Sequence, residues 1–301
     1  MRHLRRIFDL EPEEARFLVQ RGLEIKRRLK SGIPHQPLLG RILGLIFEKP
    51  STRTRVSFEA AMLRLGGQTI FLSSRDLQLS RGEPLKDTAR VLSRYVDGLV
   101  VRTFGQEVVE ELAAHATVPV INGLSDKFHP CQVLSDVLTV VETGRPLEGL
   151  KVAWVGDGNN MANSWIEAAA LFGFELRLAC PEGYDPAEDV LSEARSRGAK
   201  IILTRDPVEA VSGAEVVNTD VWASMGQEEE AEERRRVFQP YQVNAELLKH
   251  AAPEAIVLHC LPAHRGEEIT EEVLEGPRSV VWEQSENKMW LHAAVLEWLL
   301  A

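Results

Sequence analysis

The stretch Arg41-Ile-Leu-Gly-Leu-Ile-Phe47, continued by Glu48-Lys-Pro-Ser-Thr-Arg-Thr-Arg-Val-Ser-Phe58, decides the fold. Ile42 to Phe47 is an apolar run of strand length. Phe58, Ala61, Met62 and Leu65 then recur at helical spacing and stop at Gly66-Gly67. A buried strand feeding a helix through a short polar turn is the repeating unit of a parallel α/β sheet. Such a turn points free backbone N–H groups and the positive end of the helix dipole outward. Here it also carries three hydroxyls (Ser51, Thr52, Thr54) and two guanidinium groups (Arg53, Arg55). Hydroxyl donors and a forked arginine suit a phosphate.

The same unit repeats on both sides. A helix is expected over residues 12–30, with Pro12 at its start and Gly32 after its end. Strand patterns fall at 41–47, 68–73, 98–102 and 117–121, and helices at 53–65, 84–96, 105–115 and 130–143. Gly144-Arg-Pro-Leu-Glu-Gly149 marks a domain junction. A second series follows, with strands at 151–155, 175–180, 200–204, 215–219, 255–260 and 279–283. Its helices fall at 161–172, 186–197 and 244–251. The expected fold is α/β: two doubly wound parallel-sheet domains, residues 1–143 and 144–284, with the active site in the cleft between them. A closing helix over 285–301 is expected to pack back on the first domain. The charge run 227–236 reads as a solvated face or loop.

A length of 301 residues suits two domains. The formal net charge of −10 disfavours nucleic acid or an anionic membrane as partner. Cys131, Cys180 and Cys260 are too scattered for a disulfide framework or a paired-cysteine zinc site. No apolar run is long enough for a signal peptide or a membrane span, and a cytoplasmic location is expected.

Polar residues gather at the ends of the expected strands. Arg102 ends Gly98-Leu-Val-Val-Arg102 and can join Arg53 around one dianion. His129-Pro130-Cys131-Gln132 opens a helix, where the dipole favours a neutral imidazole able to donate to a carbonyl. Gly156-Asp-Gly-Asn-Asn-Met161 lacks the third glycine of a dinucleotide fingerprint, and its amides Asn159, Asn160 and Asn163 suit a zwitterion better than a pyrophosphate. Asp220 can pair with an ammonium, and Cys260 sits before an abrupt turn at Pro262. No metal-ligand spacing and no Ser-His-Asp elbow is present. A phosphate site with carbonyl donors in one half, and amides, a carboxylate and a thiol in the other, fit transfer of an acyl group from an acyl phosphate to an amine.

At these motifs the chain resembles the aspartate/ornithine carbamoyltransferase family over essentially its whole length. Ser51-Thr-Arg-Thr54 and His129-Pro-Cys-Gln132 match the family's two signatures. Gly156-Asp-Gly-Asn-Asn160, Asp220, Ser224-Met-Gly226 and His259-Cys-Leu-Pro262 resemble its ornithine branch. The resemblance implies that Ser51, Thr52, Arg53 and Thr54 hold the phosphate of carbamoyl phosphate, with Arg102 bridging phosphate and carbonyl and His129 and Gln132 on the carbamoyl group. Thr54, Arg102 and His129 would face the developing oxyanion. It implies that Asn160, Asp220, Ser224 and Met225 bind ornithine, and that Cys260 and Leu261 lie beside the reacting amine and the carbamoyl nitrogen. Gln78 matches a position reaching a neighbouring subunit's site, which implies a homotrimer or a multiple of one. The implied products are citrulline and phosphate, with arginine biosynthesis the commoner role and no cofactor. Glu283-Gln-Ser-Glu-Asn-Lys288 departs from the family's Glu-x-x-Asn-Arg, and Lys288 keeps the charge without the fork. A putrescine or other amine carbamoyltransferase, and a non-catalytic metabolite-binding homologue, are the competing readings.

Overall fold

A 19-residue helix, α1 (Pro12–Lys30), begins the regular structure of the computed structural model, which describes residues 1–73, 77, 82–224 and 228–301. Pro12 takes the first helical position, and the Glu11 N–H donates to the Glu14 carboxylate at 3.1 Å. The chain then alternates strand and helix: β1 (Ile42–Phe47), α2 (Thr52–Arg64), β2 (Gln68–Ser73), α3 (Leu85–Leu92), β3 (Gly98–Arg102), α4 (Gln106–His115), β4 (Val120–Leu124) and α5 (Pro130–Glu142). The second series runs β5 (Lys151–Val155), α6 (Asn160–Phe172), β6 (Glu175–Ala179), α7 (Glu188–Ser196), β7 (Lys200–Thr204), α8 (Pro207–Val211), β8 (Val216–Thr219), α9 (Ala231–Phe238), α10 (Ala245–Leu248), β9 (Ile256–His259), α11 (Glu271–Leu274) and α12 (Val281–Leu300).

Two α/β units result. One comprises Met1–Leu138 with Glu286–Ala301, the other Thr139–Ser285. The first holds a four-stranded parallel sheet in the order β2-β1-β3-β4, the second a five-stranded parallel sheet in the order β7-β6-β5-β8-β9. Each sheet therefore reverses its winding once, between β1 and β3 in one unit and between β5 and β8 in the other. Loops above the carboxyl ends of those central strands diverge there and leave room for a ligand.

Burial explains the strand order. β3 is buried along its whole length and β1 at all but its first residue, as central parallel strands covered on both faces must be. Ile46, Leu99, Val101, Val109, Leu112 and Val120 form one core of the first unit. Ala153, Val155, Val217, Val257, Leu274 and Val281 belong to the core of the second. Each such aliphatic side chain contributes about 1.5–3 kcal/mol when fully buried. In the first unit the C-terminal part of α12 is tied to α1 by Arg21 on Glu297 at 2.8 Å and by Lys26 on the Asn287 amide oxygen at 2.8 Å.

Several boundaries differ from the sequence reading. The fourth strand lies at Val120–Leu124 instead of 117–121, because Leu4 pairs along its edge (Leu4 N–H to Val120 O 2.9 Å, Asn122 N–H to Leu4 O 2.8 Å) and carries the ladder through Asn122. No strand forms at 279–283: Ser279 makes an isolated bridge to Val257, and helix α12 starts at Val281, before the expected 285. The helix expected over 244–251 shortens to Ala245–Leu248, while α8 and α11 are additional. The charge run is not a solvated loop throughout. It forms helix α9, in which Arg234 is buried between Asp157 (3.0 Å), the Trp222 carbonyl (2.9 Å) and Glu230 (3.2 Å). Among the described residues, no helix is long and apolar enough to cross a membrane.

Gly158 fixes the path of the loop after β5. Its N–H donates to the Tyr184 carbonyl at 2.9 Å, and a Cβ there would lie 2.2 Å from Pro186 N and 2.3 Å from the Asp185 carbonyl carbon. Both are backbone atoms that cannot move aside. Gly158→Ala is expected to destabilise the protein by about 1–3 kcal/mol. The check is the thermal unfolding midpoint, which should fall by several degrees.

Candidate active site

In the first unit the turn after β1 builds the anion side. Ser51 is extended (φ −162°) and caps α2, its Oγ accepting from the Thr54 N–H at 3.2 Å. The cap leaves the Thr52 and Arg53 N–H groups at the positive end of the helix. Thr52 is exposed and Arg53 half-buried, and Arg53 makes no hydrogen bond or ion pair with any described residue. Arg55 does not belong to the cluster. Its guanidinium pairs with Glu59 at 3.0 Å and lies 3.5 Å from the Phe71 ring centroid. Two residues on from Arg53, about 200° around the helix, are enough to send it to the outer face.

Register brings in the rest. Arg102 at the end of β3 pairs with Phe47 at the end of β1, so it stands beside the turn and is buried. His129 precedes α5 and Gln132 lies in its first turn, both buried. Lys288 enters from α12, 4 % exposed, and its Nζ donates to Thr54 Oγ1 at 3.2 Å and to Gln132 Oε1 at 2.8 Å. Thr54, Arg102, His129, Gln132 and Lys288 thus share one locus. Burial pushes the His129 imidazole well below its ordinary value, and the cations Lys288 and Arg102 and the ring of His292 push it further. His129 is therefore neutral at physiological pH and keeps one N–H to donate.

In the second unit the site lies at the β5/β8 reversal. Asn159 caps α6, its Oδ1 accepting from Met161 N–H (2.9 Å) and Ala162 N–H (3.2 Å), while its Nδ2 donates to Asp220 Oδ2 at 3.0 Å. Asp220 Oδ1 accepts from the Val221 N–H (2.8 Å) and from the Cys260 thiol (3.2 Å). Asn160 opens α6 and Ser224 follows β8, both half-buried. The three amides are not equivalent: Asn163 is buried and accepts from the Ala187 N–H at 3.0 Å, a purely structural bond. Asp157 pairs with Arg234, yet burial raises its carboxyl to about 6. Gln78 and Met225 lie outside the described residues.

The turn carrying Cys260 and Leu261 has its own support, which the sequence reading missed. Leu261 sits at φ 57°, a left-handed conformation unfavourable for a side chain with a Cβ. Its N–H donates to His259 Nδ1 at 2.9 Å, so His259 Nε2 carries the proton and donates to Glu268 Oε1, also at 2.9 Å. The fully buried Glu268 also accepts from the His264 N–H at 2.7 Å. The pairing of His259 with a carboxylate nine residues on gave no sequence signal, because it depends on the fold of the intervening turn.

The model of the aspartate/ornithine carbamoyltransferase carbamoyl-P binding domain matches residues 2–142, and that of the family's Asp/Orn binding domain matches residues 148–299. The chain belongs to the aspartate/ornithine carbamoyltransferase family. It is 64 % identical over 296 residues to an ornithine carbamoyltransferase of Desulfotalea psychrophila, covering 98 % of each chain. It is 55 % identical over 300 residues to an anabolic ornithine carbamoyltransferase of Pseudomonas aeruginosa, covering 100 % of this chain and 97 % of the relative. The solved ornithine carbamoyltransferase of Pyrococcus furiosus superposes with a TM-score of 0.96 at 51 % identity, over 99 % of this chain and 97 % of that one.

Near the anion cluster, His292 is fully buried and stacks on Phe58 with ring centroids 3.6 Å apart, neither ring nitrogen having a hydrogen-bond partner among the described residues. Burial, then Lys288, lowers its pKa well below 6.5, as for His129. The sign follows from the unfolded chain, which protonates near 6.5 while the folded one does not. Stability is complete above that value and is lost as pH falls toward the depressed folded values, by up to about 1.4 kcal/mol per pH unit for each histidine. His292→Phe keeps the stack and removes one such proton. It is expected to flatten the fall in unfolding midpoint between pH 6.5 and 5; an unchanged slope rules the assignment out.

Proposed function

We propose that the chain is an ornithine carbamoyltransferase: it moves the carbamoyl group of carbamoyl phosphate to the δ-amine of L-ornithine, yielding L-citrulline and phosphate. The family's chemistry is carbamoyl transfer, and the relatives above carry this activity in their names. The choice of ornithine over aspartate rests on Asp220. A carboxylate held at the switch point by Asn159 attracts the ammonium of ornithine and repels the second carboxylate of aspartate. The neighbouring cation, Arg234, is committed to Asp157, Glu230 and the Trp222 carbonyl and does not reverse that preference.

In this reading Ser51, Thr52, Arg53 and Thr54 hold the phosphate at the α2 N-terminus. Arg102 bridges phosphate and carbonyl, and His129, Thr54 and Lys288 donate to the carbonyl side. The neutral δ-amine attacks the carbonyl carbon, the C–O bond to phosphate breaks, and the amine's surplus proton leaves as phosphate departs. Asn160, Asp220, Ser224 and Met225 hold the amino-acid end, with Cys260 and Leu261 beside the reacting nitrogen. Alignment of the two reactants and donors aimed at the developing oxyanion supply the rate, with no covalent intermediate.

The anabolic Pseudomonas relative supports a place in arginine biosynthesis; a cytoplasmic location is part of the proposal. Self-association as a homotrimer, with Gln78 completing a neighbour's site, is part of the proposal. Val56 and Leu63 support it: they lie seven residues apart on α2, are 54 % and 60 % exposed, and offer apolar surface for a second copy to cover.

The test is an assay of carbamoyl phosphate with ornithine, putrescine, acetylornithine and aspartate, following ureido product. Ornithine is expected to react fastest by far; product from putrescine or aspartate at an equal rate overturns the proposal. Arg102→Ala is expected to lower kcat by about a hundredfold or more with the fold intact. The rate should also rise from pH 6 to 9 as the amine deprotonates, its free pKa being about 10 by analogy with lysine. His129 is already neutral across that range and adds no inflection.

A further inference from the structure

Gln132 is held at both ends of its amide. Its Nε2 donates to Asp136 Oδ1 at 2.8 Å, one helical turn further along α5, and its Oε1 accepts from Lys288 Nζ at 2.8 Å. Both partners are buried, Asp136 completely and Lys288 to 4 % exposure. The two neighbours make opposite demands. A carboxylate oxygen facing an amide must meet the NH2 group, and an ammonium must meet the oxygen. The reverse orientation would set oxygen against oxygen at Asp136 and N–H against N–H at Lys288. The amide therefore has one orientation, set independently from two sides, with an acceptor on the side of Lys288, Thr54 and His129.

From this we infer that Asp136 is a positioning residue that sets the acyl-group specificity of the site: it keeps Gln132 presenting an oxygen, so the site takes an acyl phosphate whose acyl group carries an N–H2 and rejects the isosteric methyl. The inference rests on the carbamoyl-transfer reading and adds to it a reason for the choice of acyl group. Carbamoyl and acetyl phosphate have nearly the same shape and charge. They differ at one substituent, which is a donor in the first and an apolar group in the second. Opposite the Gln132 oxygen the amino group completes a hydrogen bond, whereas a methyl offers that buried acceptor no donor. A site that buries a polar group against a missing partner discriminates strongly. Without Asp136 the amide loses one of its two anchors, and only the Lys288 ammonium opposes a turn of its NH2 group inward. A donor in that place would face the amino group donor to donor and lose the distinction.

The experiment measures kcat/KM for carbamoyl phosphate and for acetyl phosphate, both with ornithine, in the full-length enzyme. Inhibition by inorganic phosphate reports the phosphate subsite separately. Asp136→Leu, which removes the acceptor at nearly constant size, is expected to lower the carbamoyl-to-acetyl ratio by about tenfold or more, through kcat/KM for carbamoyl phosphate, with phosphate inhibition unchanged. The double variant Gln132→Glu/Asp136→Asn exchanges donor and acceptor between the two positions at constant shape. The introduced amide donates to the introduced carboxylate, whose other oxygen again faces the acyl group, so the ratio should recover relative to the single variant. An unchanged ratio in Asp136→Leu, or a double variant no more selective than the single one, overturns the inference. If Asp136→Leu does not fold, the double variant decides alone: a ratio near wild type supports the inference, and a collapsed ratio overturns it. Wild-type protein with no transfer to ornithine at all would instead overturn the function itself.

Discussion

Parallel strands force their connections over the faces of the sheet, and wherever successive connections part to opposite faces the carboxyl ends of two strands are left uncovered. Everything functional in this chain depends on that constraint. In the first unit the gap falls between β1 and β3, so the α2 cap and Arg102 meet above it. In the second it falls between β5 and β8, so the α6 cap and Asp220 meet above it. The same backbone device, a capped helix N-terminus beside a strand end, is given opposite electrostatic character by what surrounds it. In the proposed reading, Arg53, Arg102 and Lys288 make one a seat for an anion, and Asp220, with Asp157 close enough to interact with it, makes the other a seat for an ammonium.

Within the anion seat, positive charge does two jobs. In the proposed reading it attracts the phosphate, and it adds to burial, the larger cause, in keeping His129 neutral, so that the imidazole donates to a carbonyl without adding charge. Lys288 carries part of both. Where the family pattern has a forked guanidinium, this chain has a point donor on a flexible stem, and that donor reaches Thr54 and Gln132 from α12. The seat is therefore coupled to the packing of α12 on α1, through Lys26 on Asn287 and Arg21 on Glu297. Residues next to Lys288 and about two and a half turns beyond it set where it stands.

Much of this was legible in the sequence, for physical reasons that can be named. Long apolar runs ending in Gly or polar turns gave the strands of both sheets, because central parallel strands are buried on both faces and tolerate little else. The Ser51 to Thr54 turn was readable because capping and anion binding use the same residue types. Contacts that close only through the fold were not readable. Arg234 looked like one charge among many in 227–236 until Asp157 and Trp222 enclosed it. Arg55 looked like part of the anion cluster until helical geometry turned it to Glu59 and Phe71. The strand expected at 279–283 failed because a short apolar run fits the buried start of a helix as well as it fits a strand. Asp136 was the missed residue with a usable signal: it follows Gln132 at i,i+4, the spacing at which helical side chains meet.

The central claim is that a carboxylate at the second switch point selects an amino-acid amine as acceptor. Its most direct test is kcat/KM for ornithine, at saturating carbamoyl phosphate, in Asp220→Asn against the wild type. The account predicts a loss of about a hundredfold or more, as for removal of one partner of a buried charge pair, with KM for carbamoyl phosphate little changed. Retention of the wild-type kcat/KM for ornithine would contradict it.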